Sequence, residues 1–146
     1  GELQNSHKDV YNVMEYLTKN EGFKAENITL LMDDGVHEEP NGKSILKACK
    51  DLTQISKSGD AVFCYFAGHG GQIEDDDGDE DDGYDETILP LDVIKAGPIR
   101  DDTLFEELVC PMPKGVTMTC VFDSSHAGTV LDLPFRFSAE EDGREL

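Results

Sequence analysis

Two apolar runs each end in a turn of small residues that presents chemistry. Ala61-Val-Phe-Cys-Tyr-Phe66 leads directly into Ala67-Gly68-His69-Gly70-Gly71, and Val116-Thr-Met-Thr-Cys-Val-Phe122 leads into Asp123-Ser124-Ser125-His126-Ala127-Gly128. Short apolar runs rich in β-branched and aromatic residues and bounded by turn residues read as buried strands. In open α/β sheets the ligand crevice lies outside the carboxyl ends of the strands. One such end here carries a histidine between glycines, and the other carries a short nucleophilic side chain. A catalytic dyad is defined by geometry and roles, not by chain order. This pairing therefore restricts the chain to an α/β domain with its site where the two strands end.

The rest of the chain supplies the layers. Ser6 can cap a helix bearing Val10, Val13, Met14 and Leu17 at helical spacing, which ends near Gly22. Residues 27–32 read as a strand closed by Asp33-Asp34-Gly35. A second helix opens after Pro40-Asn41-Gly42 with Ile45, Leu46, Cys49, Leu52 and Ile55 on one face, and stops at Lys57-Ser58-Gly59. Asp101-Asp102-Thr103 opens a third, bearing Leu104, Phe105, Leu108 and Val109 and broken by Pro111 and Pro113. Strands alternating with helices indicate parallel pairing. Residues 74–86 hold ten acidic positions and read as a solvated loop, and residues 136–146 as a polar tail. Three strands make a small sheet for such a domain, so the expectation is a part of a larger sheet.

Composition narrows the partners. With 146 residues the chain fits one domain, here 1–135, and its net charge of −20 repels nucleic acid and anionic membranes. Cations are favoured instead, either calcium or basic peptides. No apolar run reaches a membrane span, which makes a cytoplasmic protein the expectation. Cys49, Cys64, Cys110 and Cys120 lack zinc-type spacing and read as free thiols. Cys64 lies five residues before His69 and Cys120 five before Ser125, so parallel strands ending in register would set the two thiols side by side. At about 4.8 Å between strands they form a candidate redox pair.

The motifs carry a family resemblance. Tyr65-Phe-Ala-Gly-His-Gly-Gly-Gln72, the stretch Gly78–Asp92, Gly97-Pro-Ile-Arg-Asp-Asp102 and Phe122–Pro134 together resemble the large (p20) subunit of a metacaspase, a caspase-like cysteine peptidase specific for Arg or Lys. The separation of His69 from Ser125, 56 residues, is close to the roughly 50 of caspases. The resemblance implies a three-layer caspase-like sandwich with a mostly parallel sheet, completed by a p10-like part. It implies His69 as catalytic base and position 125 as nucleophile. The family has Cys where this chain has Ser125, so the form written here is expected to be inactive or nearly so. A substitution introduced by design is the first explanation, and a natural pseudo-enzyme the second. No G-x-S-x-G elbow supports a true serine hydrolase.

The same resemblance implies an acidic specificity pocket at Asp123 and Asp9 beside Ala67, where paired carboxylates would receive a guanidinium. It implies a calcium site, apart from the dyad, on Asp85, Asp101, Asp102 and Asp132. The acidic run itself is no EF-hand, since with Asp75, Asp77 and Asp79 as the first ligands the required Gly falls on Glu80. The function expected is a calcium-dependent, monomeric endopeptidase acting after Arg or Lys. The alternative is a calcium-responsive scaffold that binds basic segments without cutting them.

Overall fold

A computed structural model describes residue 3 and residues 5–74 and 83–135. The two apolar runs form β1 (Ala61–Ala67) and β5 (Thr117–Asp123). They pair in parallel from Ala61↔Thr117 through Cys64↔Cys120 to Ala67↔Asp123, so both motifs leave the sheet at the same end. Helix α1 (Ser6–Lys19) packs on β1, and α2 (Gly42–Ile55) packs on the helical segment that follows residue 101. Asn41 caps α2, its side-chain oxygen accepting from the Ser44 amide at 2.9 Å, and the helix starts at Gly42, one residue earlier than expected. At α1 the expectation fails: Asn5 is the cap residue, Ser6 is already helical, and no side-chain cap bond forms.

A second sheet was not foreseen. Strand β2 (Gly70–Glu74) pairs antiparallel with β3 (Tyr84–Ile88), and β3 with β4 (Ile99–Arg100). The acidic loop assigned to 74–86 is therefore shorter, since Glu74 closes β2 and Tyr84, Asp85 and Glu86 belong to β3. Its centre, 75–82, and the tail 136–146 lie outside the described residues. Asp85 and Glu86 are buried because each has a partner: Arg100 holds Asp85 and the Thr129 hydroxyl meets Glu86. A short α3 (Val93–Ala96) links β3 to β4, and α4 (Asp101–Leu104) runs on as a π-helical turn over Phe105–Val109.

The strand expected over 27–32 is also corrected. Ala25–Asn27 is a 3-10 turn, and beyond it only the single bridge Leu31↔Glu38 forms. Strand composition alone does not make a strand without a neighbouring ladder. The core gathers Ile88, Ile99, Leu104, Val130 and Leu131, flanked by Ile45, Leu46, Phe66, Cys120 and Phe122. It thus joins the central pair, the hairpin sheet and the chain just after the second motif. Among the described residues no helix is long and apolar enough to cross a membrane.

Candidate active site and acidic cluster

Alternation along β1 and β5 decides which residues meet at the site. The Cys64, Phe66, Cys120 and Phe122 side chains lie on the core face, leaving Tyr65 and Asp123 on the α1 face. There the Tyr65 hydroxyl donates to Asp123 Oδ2 at 3.3 Å. Burial, and then the Asp123 and Asp9 charges, raise the Tyr65 hydroxyl above its ordinary pKa, which places both carboxylates within its electrostatic reach. Tyr65 was missed in the sequence, although strand register would have found it.

One cavity of about 400 Å³ collects the pieces. It is lined by Asp9 from α1, by Ala67, Gly68 and His69, and by Asp123, Ser124 and Ser125. All five residues assigned to catalysis and substrate binding, His69, Ser125, Asp9, Asp123 and Ala67, are therefore brought together. His69 and Ser125 are exposed to solvent at its rim. The two motif loops touch at Gly70, where a Cβ would overlap the Ser125 carbonyl oxygen and lie 3.2 Å from Ser124 Oγ. Only a residue without a side chain admits that approach. Ser124 Oγ is buried with no hydrogen-bond partner, and His126 adopts a left-handed backbone (φ 54), a costly combination typical of site loops.

The hairpin sheet connects this loop to a second feature. The Leu89 amide donates to the His69 carbonyl at 2.9 Å, and Ile88 pairs with Gly70. Three residues down β3, Asp85 joins Asp101 and Asp102 in a group whose carboxylate oxygens lie within 4.8 Å of one another. Asp101 is almost fully buried; its oxygens accept from the Glu86 amide (2.7 Å) and the Asp102 amide (3.0 Å). Burial above all, with the charges of Asp85 and Asp102, pushes its carboxyl up to about 6 despite those two bonds. Asp132, the fourth residue implied, stands outside this group. Its backbone is left-handed (φ 45) and its amide closes a turn on the Thr129 carbonyl at 2.7 Å.

The two thiols behave as register demands: Cys64 and Cys120 are directly paired, and all four cysteines are free. The Cys64 thiol hydrogen-bonds Cys120, which raises the pKa of Cys64 and lowers that of Cys120.

A parallel strand pair with helices packed on it, delivering His69 and Ser125 to one acidic cavity, defines an α/β domain whose site lies where the two strands end. A family model described as metacaspase, peptidase C14 domain, matches residues 1–134, and the chain belongs to that family. It is 48% identical to Metacaspase III c of Phaeodactylum tricornutum, across all of this chain and 44% of that protein. Identity to Metacaspase-1A of Neurospora crassa is 43%, over 95% of this chain and 31% of the relative. The chain thus spans less than half the length of these curated relatives. A crystal structure of a Geobacter sulfurreducens protein superposes with a TM-score of 0.61 at 28% identity, covering 90% of this chain and 46% of that one.

Proposed function

We propose that this chain is the p20-like part of a calcium-dependent cysteine endopeptidase cleaving after Arg or Lys, inactive or nearly so as written because Ser125 occupies the nucleophile position. The observation that carries the reading is the convergence of His69, Ser125, Asp9 and Asp123 on one cavity. A substrate's guanidinium or ammonium would seat between Asp9 and Asp123, with Tyr65 fixing the Asp123 carboxylate. That places the following carbonyl beside residue 125. His69 takes the proton from the residue 125 side chain as it attacks, then returns it to the leaving amine, while backbone amides near residue 125 hold the oxyanion. A hydroxyl is a far weaker nucleophile than a thiolate under the same base, which accounts for an inactive serine form.

Asp85, Asp101 and Asp102 would hold the calcium, and their convergence supports it: buried like charges are costly, and hard oxygen donors suit this ion. When bound, it would supply the positive charge that lets all three stay ionised. Those residues in turn steady β3, whose end is hydrogen-bonded to the His69 loop. Asp132, which follows the core residues Val130 and Leu131, is the fourth residue of the proposed site. The proposal includes a p10-like part of the same protein completing the sheet, protein or peptide substrates, and a monomeric, cytoplasmic enzyme.

The test is cleavage of an Arg-ended reporter peptide by the protein carrying Ser125→Cys, with calcium and with chelator. Turnover with calcium alone is expected. Silence in both conditions from a folded protein would favour the second reading, a non-catalytic calcium-responsive scaffold for basic segments, for which Ser125 itself speaks.

A further inference from the structure

The acidic cluster already has a cation of its own. Arg100 is held by its backbone in β4, paired with Thr87, and its Nη1 donates to Asp85 Oδ2 at 2.7 Å. The partners are unequally exposed: the Arg100 side chain is 32% accessible and that of Asp85 is 3%. Asp85 cannot reach water on its own, and a buried carboxylate must be paired. Arg100 is the solvent-exposed member of the pair, while its backbone stays in the β4 ladder. Asp101, by contrast, is oriented by the Glu86 and Asp102 amides and does not depend on the guanidinium for its position.

A divalent cation seated on Asp85, Asp101 and Asp102 would lie against that guanidinium, because the three carboxylates converge within 4.8 Å. Like charges at such range, shielded from water, repel strongly. We infer that Arg100 is a built-in counter-ion, occupying the Asp85 end of the cluster while it is metal-free and displaced into solvent when a divalent cation binds, so that it sets the cation affinity. The inference rests on reading the cluster as the calcium site. It explains how three carboxylates can be assembled before any metal arrives. A resident that fills the site nine-tenths of the time weakens an incoming ligand about tenfold. Lysine would hold Asp85 as a point charge without the planar fork, and so only partly replace it.

Calorimetric titration of the protein with calcium, in its natural form and as Arg100→Gln, Arg100→Lys and Asp101→Asn, tests this. Arg100→Gln should bind about tenfold tighter and Arg100→Lys in between, while Asp101→Asn should bind far more weakly. In chelator the Arg100→Gln form should melt lower, and calcium should raise its melting temperature by more than that of the natural protein. Should the glutamine variant not fold, the natural protein still answers. The Nε–H resonance of Arg100 should move toward that of a solvated arginine as calcium is added. Equal or weaker binding by Arg100→Gln, or an Arg100 resonance unmoved at saturation, would overturn the inference while leaving the calcium site standing. Absence of calcium binding by the natural protein and by every variant would remove the site and the inference together.

Discussion

Gly70 sets the site by what it lacks. Any Cβ at this position meets the Ser125 carbonyl oxygen, so the two motif loops can close on each other only across a glycine. Gly70→Ala should push the 123–126 turn outward, destabilising the fold by about 1–3 kcal/mol as overpacking does. Placed in the Ser125→Cys background, it should also abolish reporter cleavage. Urea unfolding and peptide turnover check both effects, and full turnover would show that the loops do not need this contact. On the opposite face of β1 we propose the Cys64–Cys120 pair as a redox element beneath the dyad. The two thiols are register partners, and their pairing raises the pKa of Cys64 and lowers that of Cys120, which makes Cys120 the more readily ionised of the two. Hydrogen peroxide should oxidise Cys120 to a sulfenic acid, releasing water. The Cys64 sulfur then displaces a second water to form the disulfide, a two-electron oxidation overall. Cys49, whose thiol burial pushes up to about 11, should stay reduced. Mass spectrometry after mild peroxide should find the Cys64–Cys120 disulfide, and two free thiols there would end the idea.

At the scale of elements, the sequence was readable where burial dominated and unreadable where partners did. The runs 61–66 and 116–122 are apolar enough to announce two strands, and their equal offsets from His69 and Ser125 announced the register that places Cys64 opposite Cys120. The β2–β3–β4 sheet escaped because its strands contain Gly70-Gly71 and Asp85-Glu86, residue types that strands disfavour. Their burial depends on Arg100 and Thr129, contacts that join residues 15 and 43 positions apart. Residues 27–32 err in the other direction, with strand composition but only one bridge. Of the residues singled out from motifs, five line one cavity and Asp85, Asp101 and Asp102 converge, whereas Tyr65 was found only from strand register and Asp132 lies outside the converging group. The acidic cluster should also leave a pH signature. Asp101 has a folded-state pKa raised from 3.8 to about 6, so the folded chain binds a proton that the unfolded chain has released. Its contribution is full below pH 3.8 and is lost as pH rises through 6, by up to about 3 kcal/mol in the metal-free protein. Subtracting the stability profile of Asp101→Asn from that of the natural protein should expose this fall between pH 4 and about 6.5. A flat difference would mean that Asp101 is not strained by its surroundings.

For the molecule as a whole, charge is the governing quantity. A net charge of −20 on 146 residues opposes compaction by self-repulsion, and three of those carboxylates are drawn into one cluster. Two kinds of cation effect are therefore superposed. Any salt should stabilise the fold by screening, since the Debye length is about 10 Å at 0.1 M ionic strength. Calcium should add a site-specific increment that grows with the logarithm of its concentration over its dissociation constant, about 2.7 kcal/mol at a hundredfold excess. The two separate cleanly when melting is followed in calcium chloride and in sodium chloride of equal ionic strength. The proposed site requires a surplus for calcium, and requires Asp101→Asn to erase the surplus while keeping the response to sodium chloride. That surplus should reach the dyad as well, because the strand bearing Asp85 is bonded to the His69 loop through Leu89. Hydrogen exchange of the Leu89 amide should then slow on calcium addition more than global stabilisation explains. Equal melting in the two salts would assign every cation effect to screening, and leave the cluster a structural feature of the hairpin held by Arg100.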